Sequence, residues 1–343
     1  MILIKIFDRN HNILDELYEF DDLKCTWTLN GIGKAEFSIS LSSPKCNQIN
    51  IQFSNHVEVW QDNSRLWGGI IVSRNFSFPK LKVSCYGYLY LFKLVRLRNY
   101  SYAQMTYGNL IKTMINDANN RYNTGITIGN IESNSLLTQR LVSNTDVLLD
   151  KIQSFIQEAN YDIEVDNDRK FNFYLRKGKN KSYYSLEFGG DSDNIVLTPA
   201  LDQSILSCAN NIYSESNNND TTITSQASDS NSIVLYGQIE GTYSANSGIT
   251  IQSTLDNYVN AELQRRAYPL NNLSLNVNDS SLCPFSDISI GDSVTVSLKS
   301  YWGYTDLLRI VEMEHDFKNS NRIITVGQTI YRPQPPQIKL YTK

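Results

Sequence analysis

The sequence predicts a mainly β fold with an α+β insert, and three observations support this. Apolar and polar residues alternate along most of the first 95 residues, which is the two-residue period of a strand with one buried face. Helical spacing of apolar residues is concentrated between residues 100 and 160. From about residue 195 the alternation returns, and 343 residues with a 41% apolar share suffice for two or three domains with separate cores.

Residues 1–97 are predicted to form an N-terminal β domain. The opening run MILIKIF alternates as a strand does, and an Asn-Gly pair signals a turn before a second alternating run. Residues 57–76 then read as a hairpin whose second strand contains Gly68 and Gly69. Glycine within a strand packs no side chain, so the pair predicts a bulge or a close approach beside Trp67 at an interface.

Residues 98–194 are predicted to form the α+β insert. A first helix is expected from Thr106 to Ala118, because apolar residues recur there at helical spacing. A second helix is expected with Asn144 or Thr145 as its N-cap. It leads into the runs YDIEV and FNFYLRK, which predict a two-stranded hairpin.

Residues 195–332 are predicted to form a second β domain with one helix. The polar stretch SESNNNDTTITSQASDSNS indicates a long hairpin tip or loop. Thr254 is expected to cap the helix, which Pro269 stops. Residues 333–343 are rich in proline and are predicted to form an extended tail, either loose or strapped onto a neighbour.

The two ends of the chain look like two copies of one β meander. Residues 57–88 and residues 294–330 each read as strand, turn, long strand, turn with basic residues, and strand. In this comparison Leu308 and Arg309 lie about where the two glycines of the first copy lie. Barrel closure alone would demand glycine in both copies, so the pair indicates something particular to the first copy.

Charge and cysteine content exclude several classes of protein. The net charge is −4 with lysine and arginine scattered, so no specific nucleic-acid binding is predicted. The five cysteines are odd in number and widely separated, which favours free thiols in a reducing compartment. The N-terminus lacks the apolar core of a signal peptide, and no run reaches the roughly 20 residues of a membrane span. Synthesis in the cytoplasm without a membrane span is therefore expected.

No catalytic residue, metal site or cofactor is predicted. The three histidines, His11, His56 and His315, have no metal-ligand spacing to each other or to cysteine, and no GxSxG motif is present. Acidic residues alternate from 162 to 168, but the glycine and glutamate of a calcium loop are missing. This segment is therefore interpreted as a solvated strand and turn.

A second acidic series, formed by Glu312, Glu314 and Asp316, is predicted to lie on one face of a strand. Such a ladder is usually the wet side of a sheet, and it could serve catalysis only if the face lined a cleft. Two alternatives to a structural role therefore stay open. One is a wall-degrading enzyme that uses these carboxylates, and the other is a carbohydrate-binding adhesin that uses the many aromatic residues.

The order of the features resembles the tail hub, or baseplate hub, family of tailed bacteriophages and phage-derived tail particles. The resemblance extends over residues 1 to about 332, and the order of the motifs carries it. In chain order the motifs are AEFSISL, VEVWQDNSRLWGGIIVSR, NTDVLLDKIQSFIQEANYDIEVDNDRKFNFYLRKG, SIVLYGQIE, STLDNYVNAELQRRAYP, ISIGDSVTVSL and LLRIVEMEHDF.

The resemblance implies a structural protein of the virion tail, assembled in the host cytoplasm. Each subunit of such a hub contributes two related, tail-tube-like β-barrel domains to a homotrimeric ring. The ring surrounds the DNA channel and meets the six-fold tail tube and a distal tail protein on one face, and a spike, fibre or lysin on the other. This chain stops at Lys343, so a built-in wall hydrolase is not expected. Whether the tail is contractile stays open.

Two sets of residues follow as candidates for function. The candidate assembly contacts are Trp60, Trp67, Gly68, Gly69 and Trp302. The candidate channel-lining residues are Glu312, Glu314 and Asp316, whose charge would repel the phosphate backbone.

Overall fold

The computed structural model is mainly β, with one large sheet that runs through both ends of the chain and three smaller sheets, so the predicted fold class is confirmed. The described residues are 1–134, 137–218, 221–244, 249 and 251–327. The predicted proline-rich tail, residues 333–343, lies outside the described residues.

The first part of the chain forms seven strands and a short 3-10 helix. They are β1 (Ile2–Phe7), β2 (Ile13–Leu17), β3 (Asp21–Thr28), β4 (Lys34–Ser40), β5 (His56–Gln61), β6 (Ser64–Ser77), β7 (Lys80–Gly87) and the 3-10 helix Tyr88–Leu94. Alternation decides which side chains are buried: Leu81 and Val83 of β7 are buried, while Lys82 between them is exposed.

The insert forms two helices and five strands. They are β8 (Tyr100–Thr106), α1 (Tyr107–Tyr122), β9 (Thr127–Ile131), β10 (Leu137–Val142), α2 (Leu148–Ala159), β11 (Asp162–Val165) and β12 (Lys170–Tyr174). Both helices and the hairpin are confirmed. The N-cap of α2 was wrong: the helix follows Val147 without a side-chain cap, so neither Asn144 nor Thr145 caps it. Asn144 and Thr145 instead belong to the turn that precedes the helix.

The last part of the chain adds nine strands and two helices. They are β13 (Asn180–Phe188), β14 (Asp202–Ser204), β15 (Asn211–Asn218), β16 (Thr221–Ser228), α3 (Ser230–Tyr236), β17 (Glu240–Ser244), α4 (Gln252–Arg266), β18 (Leu270–Asn278), β19 (Ser293–Leu298), β20 (Tyr304–Asp316) and β21 (Asn321–Gly327).

Several details of this part differ from the prediction. The polar stretch forms the paired strands β15 and β16, followed by α3, a helix that was not predicted. Thr254 lies inside the first turn of α4, whose N-cap is Ile251, and the helix ends at Arg266 before Pro269. Strand β13 lies in the sequence range assigned to the insert, but it pairs in parallel with β19 of the large sheet.

The large sheet joins the two ends of the chain into one hydrogen-bonded surface. Its strands follow the order β14-β18-β21-β20-β3-β4-β7-β6-β5-β1-β2, and β19 with β13 pairs along the other part of β20. The joint between the halves is the antiparallel pairing of β20 with β3. The pairings among the described residues do not return to their start, so they form an open sheet and no closed barrel.

The predicted internal repeat is present in the structure. Strands β5-β6-β7 and β19-β20-β21 are both antiparallel meanders with a long middle strand. In its pairing with the third strand of the meander, each middle strand contains one extra residue at a bulge, Val72 in β6 and Val311 in β20. A bulge is a specific local feature, so its presence at the same place in both meanders supports the equivalence of the two halves.

The apolar interior consists of separate cores, and each half of the large sheet has its own. One core lies under the first half of the large sheet, a second lies under the second half, and a third fills the insert around α1 and α2. A small fourth core packs α4 against the sheet of β15, β16 and β17. Trp27 of β3 contacts both cores of the large sheet, so the joint between β3 and β20 is packed as well as hydrogen-bonded.

Candidate assembly surfaces

Gly68 and Gly69 allow a close internal approach in the first meander. A Cβ added to Gly69 would overlap the carbonyl oxygen of Tyr86 and the ring of Trp67, and one added to Gly68 would lie 2.8 Å from the Tyr88 ring. Trp67 is only 2% exposed. The predicted close approach is therefore present, but it lies inside the chain. Contact within the single chain accounts for these three residues without an interface.

The second meander shows why it needs no glycine there. When the two middle strands are aligned on their bulges, Leu307 and Leu308 occupy the positions of Gly68 and Gly69. The sequence comparison had equated Leu308 and Arg309 with the two glycines, so it was displaced by one residue. The tryptophan that crowds Gly69 is Trp67, two residues earlier on the same strand, and the bulge alignment places Asp306 at its position in the second meander.

Trp60 forms part of a charged cluster at the end of β5. Its Nε1 donates a hydrogen bond to Glu58 Oε2 at 2.9 Å, and Lys5 Nζ lies 4.8 Å from the ring centre. The guanidinium of Arg65 contacts the same ring and donates to Glu58 Oε1 at 2.6 Å. Trp60 is half-buried by these contacts, so one part of its ring is available to another molecule.

Trp302 has the opposite environment, because its side chain is fully exposed. It lies in the turn between β19 and β20 with φ of +52°, a left-handed conformation that side chains other than glycine adopt rarely. Its neighbour Tyr301 holds the turn by donating a hydrogen bond to the Pro199 carbonyl at 2.7 Å. Among the predicted assembly contacts, Trp302 is the one that the single chain leaves uncovered.

The acidic ladder lies on the solvent face of β20, as predicted, but it is not a bare row of charge. Glu312 accepts a hydrogen bond from Thr28 at 3.1 Å. Lys24 of β3 lies 3.1 Å from Glu314 Oε1 and 3.5 Å from Asp316 Oδ2. These contacts hold the pKa of Lys24 above its usual value, chiefly through the hydrogen bond to Glu314.

The same face continues across the neighbouring strands with charges of both signs. Lys82 of β7 pairs with Glu36 of β4 at 2.7 Å, and Lys80 pairs with Asp21 at 2.9 Å. Each pair is partly exposed, so it contributes little to stability. Across β20, β3, β4 and β7 the outer face of the sheet is therefore polar and mixed in charge, a surface that neither grips a polyanion nor repels it strongly.

A buried ion pair connects the insert to the second half of the sheet. Arg309 of β20 and Asp162 of β11 are 5% and 2% exposed, and Arg309 Nη2 lies 2.5 Å from Asp162 Oδ2. Asp162 also accepts from Asn30 Nδ2 at 2.8 Å and from the Lys177 backbone N–H at 2.7 Å. Arg309 Nε donates to the Gly291 carbonyl at 3.0 Å.

The sequence interpretation of Asp162 was therefore wrong. The alternating acids predicted a solvated strand, but Asp162 is buried and contacts Asn30 of the first half and Arg309 of the second. Its partner Arg309 is 147 residues away, so no local spacing could indicate the pair. The one signal was a lone arginine within the otherwise apolar run LLRIV.

His56 is buried and His315 is half-buried. Burial lowers the pKa of His56 to about 4, with a smaller contribution from the neighbouring His11. Burial also lowers the pKa of His315 to about 4, with a smaller effect of Arg322. The His315 ring stacks on Phe317 with centroids 4.1 Å apart.

Four of the five cysteines are buried thiols, and the described residues contain no metal-binding cluster. Cys25 and Cys85 are fully buried, and burial raises the pKa of both. Within the described ranges no group of three or more histidine, cysteine, aspartate or glutamate residues is arranged to hold a metal ion. In the same part of the chain, no helix is both long and apolar enough to cross a bilayer.

Comparison with known proteins gives a family and a fold. A model of the YQBQ-like family matches residues 25–327. No curated protein matches the sequence. Several solved structures share the fold over nearly the whole chain. The prophage tail protein gp18 from Listeria monocytogenes has a TM-score of 0.70 at 15% identity, with 96% of this chain and 95% of that chain covered.

Two further tail proteins align equally well. The 43 kDa tail protein of prophage MuSo2 from Shewanella oneidensis has a TM-score of 0.68 at 13% identity, with coverage of 95% and 98%. The tail protein from Neisseria meningitidis has a TM-score of 0.69 at 10% identity, with coverage of 95% and 96%. At these identities the likeness shows a shared fold.

Proposed function

The chain belongs to the YQBQ-like family, and we propose on this premise that it is a structural hub subunit of a phage or phage-like tail. Three subunits form a ring that joins the six-fold tail tube to a three-fold distal part. The shared fold with three tail proteins supports this role. The protein acts as a homotrimer within the virion tail.

The observation that carries the proposal is the duplicated meander within one continuous sheet. Each chain supplies two modules with the same strand pairing and the same bulge. Three such chains supply six similar modules, so a three-fold ring matches a six-fold tube. A chain with one module, or with two unrelated ones, would not reconcile the two symmetries in this way.

The polar face of the large sheet is proposed to line the central channel. Glu312, Glu314 and Asp316 lie on this face together with Lys24 and its neighbours. Local pairing of opposite charges keeps the face hydrated and leaves it with little net attraction for a phosphate backbone. DNA can then pass without being held, which suits a conduit.

The ends of the ring are proposed to carry the partners. The tail tube and a distal tail protein bind one face, and a spike, fibre or lysin binds the other. Trp302, which is fully exposed on a turn, and the half-buried Trp60 are the candidates for these contacts. Aromatic side chains give large contact areas at low entropic cost, which makes them common anchors in interfaces.

The proposed role is structural rather than catalytic. The carboxylates that a wall-degrading enzyme would use, Glu312 and Glu314, contact Thr28 and Lys24 on the outer face of a sheet. The decisive test is the mass of the purified protein together with images of the particles. Three copies in a ring with a central hole are expected. A monomer that binds glycans or clears cell-wall suspensions would contradict the proposal.

A further inference from the structure

One edge of the first meander has no partner strand among the described residues. Strand β6 pairs with β5 only as far as Ile70, and the next residue, Ile71, exchanges backbone hydrogen bonds with Ser54 and Asn55. From Ser73 to Ser77, β6 pairs with β7 on one side only. Along this segment no described strand occupies the other edge.

The equivalent edge of the second meander is occupied. Aligned on the bulges at Val72 and Val311, residues 73–77 of β6 correspond to residues 312–316 of β20. That segment of β20 pairs with β3 of the first half. The two halves are therefore joined at one such edge, and the equivalent edge of the first meander is occupied by no described strand.

The apolar residues at the open edge are uncovered. Phe76 and Phe78 are 65% and 91% exposed. Their counterparts on β20, His315 and Phe317, are only partly exposed, and Phe317 packs against the core of the first half. The difference arises because β3 and its core cover the second meander, while no described part of the same chain covers these residues of the first.

The strand that would complete the open edge is found at the far end of the sheet. In the first half the order is β3-β4-β7-β6, and in the second half it is β14-β18-β21-β20, so β14 is the counterpart of β3. Strand β14 is the last strand on this path, and its outer edge has no partner among the described residues. Exposed Leu206 lies just beyond it.

The pairings of β4 and β18 show which residues of β14 correspond to which residues of β3. Cys25 lies opposite Ala35, which lies opposite Cys85. In the second half Leu273 lies opposite Val326, and extension of the β14 register places Leu201 opposite Leu273. Leu201 packs against the second core, as Cys25 packs in the first.

We propose that residues 73–77 of β6 pair in antiparallel fashion with β14 of a second copy of this chain. The internal joint sets the register, since Thr28 lies opposite Glu312 and Cys25 lies opposite His315. Transferred to the open edge, Ser73 lies opposite Ser204, and Phe76 lies opposite Leu201. Phe76 and Phe78 then pack onto the second core of the neighbour.

This joint deepens the proposed ring and rests on it. A contact between two different edges is head-to-tail, so each copy uses both edges and a closed ring leaves neither open. Around such a ring the β3–β20 joint within a chain alternates with the β14–β6 joint between chains, and both joints have the same geometry. Exposed edge strands with apolar neighbours otherwise invite uncontrolled association, and closure removes that hazard.

Cysteine cross-linking tests the pairing. A chain with Ser73→Cys and a chain with Ser204→Cys, carrying different tags, are co-expressed and oxidised gently. A disulfide between the two tagged chains is expected, and neither variant alone should cross-link. The control replaces Ser73→Cys by Ser77→Cys, four residues or about 13 Å further along the strand, which should not react with Ser204→Cys.

A second variant tests the energetics of the same joint. Phe76→Lys places a charge where the neighbour's core would pack, so it should convert the assembly to monomers at concentrations where the parent is assembled. The matched control is Val234→Lys, which replaces another exposed apolar residue, 85% exposed on α3, and should leave assembly unchanged.

The outcomes separate this joint from the ring itself. A three-copy ring without the Ser73–Ser204 cross-link, or one that tolerates Phe76→Lys as well as Val234→Lys, overturns the joint and leaves the hub. A parent protein that stays monomeric at every concentration overturns both. Cross-linking of either serine variant to a different tail protein in place of a second copy also overturns the joint.

Discussion

Gly69 shows at the scale of one residue how packing inside the chain constrains the sequence. The ring of Trp67 and the carbonyl of Tyr86 together occupy the space that a side chain at this position would need. Such crowding cannot be read from the sequence, where a Gly-Gly pair is equally compatible with a bulge, a ligand loop or an interface. The pattern predicted a close approach, and only the three-dimensional contacts identify its partners.

We predict that Gly69→Val destabilises the isolated chain by about 3 kcal/mol, because the added side chain forces the Trp67 ring or the Tyr86 strand to move. Chemical denaturation followed by tryptophan fluorescence measures the effect. Gly87→Ala in the adjacent strand is the matched control, since its Cβ would meet ordinary contacts from 3.4 Å outward. If Gly69→Val left stability unchanged but impaired assembly, Gly69 would instead lie at an interface between subunits.

The pair of Asp162 and Arg309 gives a second prediction at this scale. Each of Asp162→Asn and Arg309→Gln should cost about 3–5 kcal/mol of unfolding free energy, because each leaves a charge buried without its partner. The double variant should lose less than the sum of the two single losses. Equilibrium denaturation of the four proteins measures the coupling. Additive losses would mean that the ion pair does not join the insert to the sheet.

The buried His56 and the half-buried His315 predict that the stability of the fold depends on pH. Burial lowers the pKa of His56 and of His315 to about 4, whereas an exposed histidine in the unfolded chain titrates near 6.5. Between these values the unfolded chain binds more protons than the folded one, so stability falls as the pH drops from about 6.5 to 4. The urea midpoint at pH 5 should lie below that at pH 7 by on the order of half a molar.

The control for this prediction is the variant His56→Gln with His315→Gln, which cannot titrate at these positions. Its urea midpoint should change less between pH 7 and pH 5 than that of the parent. Carboxylates with lowered pKa values, such as Asp316, lose their stabilising charge only at lower pH and contribute little in this window. An equal change in both proteins would place the titrating groups elsewhere.

Secondary structure was predicted well where one periodicity dominates a segment. The helices α1 and α2, the hairpin of β11 and β12, and both meanders follow from period and turn residues alone. The strands β15 and β16 were not predicted as strands, because their serine, threonine and asparagine residues carry a weak apolar pattern. Pairing with β17 and packing of α4 against the hairpin stabilise them, and both contacts depend on the fold.

At the scale of an element, the register of β20 sets the direction of every later side chain. We predict that deletion of Glu314, in the regular part of the pairing, unfolds the second half, because the deletion turns His315 towards solvent and Asp316 towards the core. The matched control is deletion of Val311, the extra residue of the bulge, which leaves every later residue opposite its present partner and should cost much less. Circular dichroism and hydrogen exchange across β20 and β21 distinguish the two results. Equal stability of the two variants would mean that the strand can shift without loss.

The union of the two halves is a property of the whole molecule. The sequence predicts two copies of a meander, but the joint pairs β3 with β20 across 284 or more residues. Pairings of that separation leave no local signal, so the sequence could indicate the modules without showing that one sheet runs through both. The same limit applies to the insert, whose contacts with both halves converge on Asp162.

The central claim is that each chain contributes two equivalent modules to one ring. A three-dimensional reconstruction of the purified assembly tests this most directly, by measuring the rotation that relates each meander to the next around the axis. We predict three chains and six meanders, with every step close to one sixth of a turn, within chains and between them. Unequal steps, or meanders that do not share an axis, would contradict the claim.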